Sequence, residues 1–237
     1  MIFFERYIKH FFSRDSTLKT LLLKLILSKE EKRFFSLISP ADSVKTLSKE
    51  GYLYQQGWWN GLHQSWHKNA DGEYIPWLTY PCIAFVTPLL NKQLRVLEFG
   101  GGSSTLYWAK HTQKVTTIEH DKTWAKKLSN LLPTNSTLIY KELQPFDEFE
   151  TAIPAEHYHI VLVDGRERVK CLPIALRQLT LDGIIILDDS NRKRYAPGRE
   201  SLIKAGFKEL HFWGLRHQSM QMTCTSIFYR NDNCLGI

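Results

Sequence analysis

The sequence predicts an α/β protein: a doubly wound, Rossmann-like, seven-stranded sheet with one antiparallel strand, behind an N-terminal helical and aromatic cap. Three observations predict it. Short apolar runs alternate with helix-period segments from residue 94 onward, the pattern of βαβ units over a parallel sheet. The first run, R-V-L-E-F, ends in three consecutive glycines, Gly100 to Gly102, and then Ser103, Ser104 and Thr105. That is a turn where the backbone passes close to a ligand and a capped helix begins. The last two apolar runs, 207–213 and 222–229, are joined by a short loop from Gly214 to Gln221, which reads as a closing antiparallel pair.

Taken in order, residues 1 to about 50 are basic and amphipathic, with Phe3, Phe4, Tyr7, Ile8, Phe11 and Phe12, then Leu18, Leu21, Leu22, Leu25 and Ile26, at helical spacing. Two readings stand: a helical cap over a sheet edge, or an arm that contacts a membrane surface peripherally or another copy of the chain. Residues 51–90 are rich in aromatics among Gly, Pro, Asn and His, including Trp58, Trp59, Trp66 and Trp77. They form either a surface that stacks on flat ligands such as sugar rings or a packed aromatic cluster. Residues 1–90 are therefore set apart as arm and cap, and 91–237 as the ligand-binding domain.

In that domain strands are expected at 94–99, 114–119, 136–141, 159–164 and 184–188. Helices are expected at 103–111, from Trp124 to Leu131, at 170–179 and at 197–205, with turns at Pro133-Thr134-Asn135 and Asp182-Gly183.

A chain of 237 residues holds one α/β domain and a cap. Net charge is +7, which makes an anionic partner plausible. Cys82, Cys171, Cys224 and Cys234 show neither C-x-x-C pairing nor zinc spacing and read as thiols of a reducing compartment, so the chain is expected to be cytoplasmic. The first twelve residues are broken by charge too often for a signal peptide, and the longest apolar stretch, Leu21 to Leu27, contains Lys24 and is far short of a membrane span.

In an open α/β sheet ligands bind beyond the carboxyl ends of the strands. Those ends carry Glu98 and the glycines, Glu119, Glu142, Asp164 and Asp188-Asp189. Glu119 lies 21 residues beyond Glu98 (119 − 98), the spacing at which an acid meets ribose hydroxyls in such folds. G-G-G-S-S-T lacks the third glycine of a dinucleotide fingerprint, and Glu98 before the turn would repel a pyrophosphate. A ligand with an amino group and no phosphate suits it better.

Over Leu94 to Arg230 these residues resemble the class I S-adenosylmethionine-dependent methyltransferases, whose first motif is an acid, one residue and a glycine-rich turn. The resemblance implies S-adenosyl-L-methionine as cofactor. Glu98, Gly100, Gly101, Gly102 and Ser103 would hold its methionine moiety and Glu119 both ribose hydroxyls. His120 and Leu143 would lie near the adenine, and Asp164 would orient the amino group. W-L-T-Y-P, F-W-G-L and T-S-I-F-Y-R also look like poorly characterised bacterial methyltransferases associated with saccharides, which implies O-methylation of a small or glycan-type hydroxyl.

Asp164, Asp188 and Asp189, with Asn191, end adjacent strands and form a set for a hard divalent cation such as magnesium. This layout resembles the metal-dependent O-methyltransferases, although Gly165-Arg166 departs from the Ala and Lys usual there. Without a metal a general base is needed, from among His120, Asp164, Asp189 and His217. Arg166, Arg168, Lys170, Arg192, Lys193, Arg194 and Arg216 are expected around these acids, as a site for an anionic acceptor or as a solvated rim. Two further functions are carried: an RNA or DNA methyltransferase, against which D-G-R-E stands where base N-methyltransferases carry N/D-P-P-Y/F, and a non-catalytic cofactor-binding module.

Overall fold

The computed structural model describes residues 48–58, 66–146, 148–219 and 221–237. The arm expected over residues 1–50 lies outside the described residues except at its end. The chain divides into two compact units, Met1–Gln55 and Gln56–Ile237. The described part of the first is a turn, in which the Ser48 hydroxyl donates to Glu50 at 2.7 Å, and a single helical turn at Tyr52–Gln55.

The second unit carries a seven-stranded sheet. Its strands are β1 Arg95–Phe99, β2 Lys114–Glu119, β3 Ser136–Tyr140, β4 Tyr158–Val163, β5 Leu179–Leu187, β6 Lys208–Gly214 and β7 Thr223–Tyr229, in spatial order 3-2-1-4-5-7-6. Strands β1 to β5 pair in parallel and β7 is antiparallel to both neighbours, so one strand is reversed, as the pattern predicts. The central runs V-L-V and I-I-I-L are buried on both faces, as parallel strands covered by helices require. The edge strands β3 and β6 alternate between exposed and half-buried positions.

The helices are α1 Tyr80–Val86, α2 Ser103–His111, α3 Lys122–Ser129, α4 Glu148–Thr151, α5 Arg168–Gln178 and α6 Ala196–Lys204. Helix α3 starts two residues earlier than the apolar pattern implies. Asp121 takes the cap position and accepts a bond from the Trp124 N–H at 2.8 Å. The turn expected at Asp182-Gly183 is instead absorbed within β5. There Tyr158 and Ile160 of β4 face Leu179 and Ile184 of β5, so the intervening residues bulge and Leu181 is 95% exposed at the crest. No described helix is long and apolar enough to cross a membrane.

The main core lies between the sheet and α5 and α6, with Phe99, Tyr158, Val161, Leu172, Ile185, Leu202 and Phe228 fully or almost fully buried. The parallel strands all end at one edge. The turns after β1, β2, β4 and β5 converge there, and the β6–β7 hairpin and residues 66–80 close it from the side.

Candidate functional site

A cavity of about 900 Å³ opens at this edge. Its first wall is the turn after β1. Gly100 has φ +92°, and a Cβ there would come within 2.6 Å of the Gly165 Cα. The turns after β1 and β4 therefore touch through two glycines, and neither position has room for a side chain. At Gly101 a Cβ would meet Thr117 Cγ2 at 2.7 Å and Leu128 Cδ2 at 2.8 Å. The Gly102 N–H donates to Thr105 Oγ1 at 3.1 Å, and Trp124 Nε1 donates to the Gly101 carbonyl at 2.8 Å. Trp66 stacks on Trp124 at 4.8 Å.

Glu119 is on this wall as expected, with only 5% of its side chain exposed. Its Oε2 accepts from the Gly101 N–H at 2.9 Å, and its Oε1 accepts from the N–H groups of His120 at 2.8 Å and Asp121 at 2.7 Å. A carboxylate offers about four acceptor sites, and three are taken. One remains for a ligand hydroxyl, which narrows the expectation that Glu119 takes two. His120, with Nδ1 3.0 Å from Glu119 Oε1, lines the same end, as do Leu143 and Ser103.

Glu98 corrects the sequence reading. It is fully buried beneath the turn and off the cavity wall. On β1 it sits in register with Thr117 of β2, and this face of the strand points at α2. Its Oε2 accepts from Thr105 at 2.5 Å and Thr117 at 2.9 Å. Burial pushes its carboxyl up to about 7, against the pull of the Ser104, Thr105 and Thr117 hydroxyls. Glu98 braces the glycine turn through Thr105 and lies off the cavity wall.

The second wall comes from the turns after β4 and β5. Asp164, Asp188 and Asp189 meet there, as adjacent strand ends require, but arginines meet them. Arg168 Nη2 lies 2.8 Å from Asp164 Oδ1 and 3.6 Å from Asp189 Oδ2, and its Nη1 lies 3.6 Å from Asp188 Oδ2. Arg192 lies 2.7 Å from Asp189 Oδ2. Arg216 Nη1 is 3.1 Å from both Asp188 Oδ2 and Asp189 Oδ1. Burial disfavours the Arg168 charge, but Asp164, Asp188, Tyr195 and Asp189 outweigh it and hold the guanidinium above its ordinary value. Burial raises the Asp164 and Asp188 carboxyls, opposed first by Arg168.

This cluster does not fit the expected divalent cation. Asp188 is fully buried off the wall, and its Oδ1 accepts from Thr225 at 2.8 Å. Asp189 Oδ1 accepts from Thr223, and Asn191 Oδ1 accepts from Thr223 and the Cys224 N–H. A cation here would meet three guanidiniums, and of the carboxylates, Asp188 and Asp189 are already engaged by arginine and threonine. Among the described residues no group of three or more His, Cys, Asp or Glu is arranged to hold a metal. Asp189 is held by the same pairing with Arg168, Arg192 and Arg216. Asp164 keeps Oδ2 without a hydrogen bond from a described residue and stays on the wall, 18% exposed.

The third wall comes from the aromatic-rich segment, in which the sequence did not single out His67. His67 lines the cavity, with its backbone N–H bonded to Ser103 Oγ at 2.8 Å. Its ring lies 4.9 Å from Trp77 and 4.4 Å from His217, and no described residue hydrogen-bonds to it. Burial lowers His67 to about 4, helped by His217 and Arg216, and burial alone lowers His217 to about 4. His217 is fully buried, with Nδ1 3.5 Å from the Tyr80 hydroxyl. Trp77 donates to the His217 carbonyl at 2.9 Å, and Arg216 lies 5.1 Å above its ring. The aromatic-rich segment thus belongs to the site through Trp66, His67 and Trp77. No local pattern marks His67, because its neighbours come from α2 and the β6–β7 hairpin.

No family model matches the sequence, and no curated protein matches it. Solved structures do. A precorrin-6y C5,15-methyltransferase from Geobacter metallireducens aligns over 62% of this chain and 86% of its own at 14% identity, with a TM-score of 0.49. An rRNA methylase from Streptococcus thermophilus covers 63% of this chain and 96% of its own at 14% identity and 0.45. A tRNA methyltransferase from Aquifex aeolicus covers 67% and 71% at 20% identity and 0.47. These likenesses are of fold, and substrates do not carry over at such identities.

Proposed function

We propose that the chain transfers a methyl group from S-adenosylmethionine to a hydroxyl oxygen of a small or glycan-type acceptor. The observation that supports this most is the single cavity that joins the glycine turn and Glu119 at one end to His67 and Trp77 at the other. Its volume is near the top of the roughly 300–1,000 Å³ range of small-molecule sites, which suits a cofactor and an acceptor side by side. When bound, the cofactor supplies an electrophilic methyl group on sulfur.

Each wall then has a task. Glu119 accepts one ribose hydroxyl, and Leu143 and His120 border the base. Gly101, Gly102 and Ser103 leave space for the methionine end, and Asp164 Oδ2 accepts from its ammonium. A neutral hydroxyl is a poor nucleophile until its proton is drawn away. Asp189 is held by Arg192, Arg216 and Thr223, so the free acceptor at the far end is His67. Its ring is neutral near pH 7 and offers a lone pair to accept a hydrogen bond from the acceptor hydroxyl as the new C–O bond forms and the sulfur–methyl bond breaks. Burial makes it a weaker base than a free imidazole.

The test uses the whole protein with isotopically methyl-labelled S-adenosylmethionine and a panel of mono- and oligosaccharides, nucleic acids and lipid extracts. Micromolar binding of S-adenosylhomocysteine, with label transfer to a hydroxyl that His67→Asn abolishes without weakening cofactor binding, supports the reading. Preference for NAD over S-adenosylmethionine overturns it. Label entering RNA alone would favour the nucleic-acid reading.

A further inference from the structure

We infer that the β4–β5 end of the cavity is an oxyanion site, which reads a phosphoryl or carboxylate group on the acceptor through Arg166 and Arg194. This inference rests on the proposed placement of the acceptor. Five arginines line this part of the cavity: Arg166, Arg168, Arg192, Arg194 and Arg216. Three are engaged with the buried acids. Arg168 is held by Asp164, Arg192 by Asp189, and Arg216 by Asp188 and Asp189. The fourth acid nearby, Glu167, pairs with Lys170 at 3.0 Å. Among the described residues no carboxylate pairs with Arg166 or Arg194. Each acid of this wall is thus paired with a cation, and two guanidiniums are left over on a concave surface.

Both guanidiniums are exposed to the cavity mouth, and Arg194 is held in place. Arg194 Nη2 donates to the Tyr195 hydroxyl at 2.9 Å and the guanidinium lies 4.8 Å from the ring centre, while Tyr195 itself is buried. That leaves Arg194 other N–H groups to offer a ligand. Arg166 precedes the left-handed Glu167, φ +53°, which begins α5 without a side-chain cap. The first residues of this eleven-residue helix, Arg168 and Val169, are on the wall, so the positive end of its dipole adds to the same field. Planar guanidiniums bind carboxylate and phosphate oxygens in pairs, so the group these residues select is an oxyanion rather than a neutral diol.

The experiment is calorimetry on the full chain saturated with S-adenosylhomocysteine at low ionic strength. The titrants are inorganic phosphate, glucose 6-phosphate, glucuronate and glucose. Phosphate and at least one charged sugar are expected to bind while glucose does not, and the ratio of glucose 6-phosphate to glucuronate tells the phosphoryl from the carboxylate source. The double variant Arg166→Gln/Arg194→Gln should weaken anion binding by about tenfold or more, the scale of one or two charge-assisted hydrogen bonds. Lys208→Gln, at the far edge of the sheet, should leave it unchanged. Equal anion binding by the double variant, or none by the parent protein with the cofactor analogue bound, overturns the inference. So does submicromolar binding of single-stranded RNA in the absence of small-anion binding. Failure of S-adenosylhomocysteine to bind overturns the methyltransferase reading instead, so the two failures are distinguishable.

Discussion

At the β1–β2 end of the cavity most of the fixing contacts come from residues 98–124, and several are backbone N–H groups pointed at one carboxylate, Glu119. At the β4–β5 end the contacts tie together residues 164–168, 188–192, 216 and 223–225, and they are side-chain ion pairs and hydrogen bonds around the buried Asp188 and Asp189. The first end is a local backbone device that tolerates change wherever the backbone conformation is kept. The second is a network in which each charge is affordable only while its partners stay. The contrast teaches where the molecule is brittle: removal of one member of a buried network leaves the others unpaired, whereas a backbone N–H cannot be mutated away.

The contrast breaks most sharply at Arg168. Arg168→Leu should cost about 3–5 kcal/mol, the scale of a broken buried ion pair, read as a lower urea midpoint. A loss below about 1 kcal/mol, the scale of an exposed pair, would show that the network is not what holds this end.

Glu98 is the fully buried carboxyl at the local end, and it sharpens the comparison through pH. Its carboxyl titrates near 7 in the folded chain against an ordinary 4.5. As pH rises through 4.5 the unfolded chain loses this proton first. The native state then holds more protons, and stability falls until pH reaches about 7. Glu98→Gln removes that decline, so variant stability relative to the parent should rise by about 3 kcal/mol between pH 4.5 and 7. A flat difference across the window would mean that Glu98 is not titrating there.

Gly100→Ala introduces a Cβ against the Gly165 backbone at positive φ and should cost about 2–3 kcal/mol. Gly206→Ala, also at positive φ but with open space around it, should cost about 1 kcal/mol. Equal losses in urea unfolding would remove the close approach of the two turns as the cause. Glu119→Ala should weaken S-adenosylhomocysteine by about 1.5–3 kcal/mol in calorimetry, the scale of a lost charged hydrogen bond. The smallest effect is expected from magnesium. With three guanidiniums already on Asp164, Asp188 and Asp189, millimolar magnesium should leave Tm unchanged. A rise of several degrees would return these acids to the metal reading.

The sheet was legible because its cause is local. Short, β-branched apolar runs such as V-L-V and I-I-I-L bounded by turn residues read as strands buried on both faces, and the alternation with helices leaves little choice of topology. The glycine turn and Glu119 were legible for the same reason, since a βα turn and the next strand end lie within one short stretch. Glu98 was misplaced because strand alternation and register with Thr117, not proximity to the glycines, decide which way it points. The Asp182-Gly183 turn was misplaced because β4 keeps pairing on both sides of it and the sheet absorbs the extra residues as a bulge.

The sequence by itself determined the fold class and the edge of the sheet where the glycine turn and the strand-end acids gather, because those follow from periodicity, turn chemistry and the direction of parallel strands. Only the tertiary structure decided what the acids after β4 and β5 are for. Their carboxylates read alike whether they meet a cation or an arginine, and the arginines that meet them arrive from three separate turns. It also decided that His67 joins the site, since a histidine becomes a neutral, unpaired ring on a cavity wall only through burial by chain that is remote in sequence.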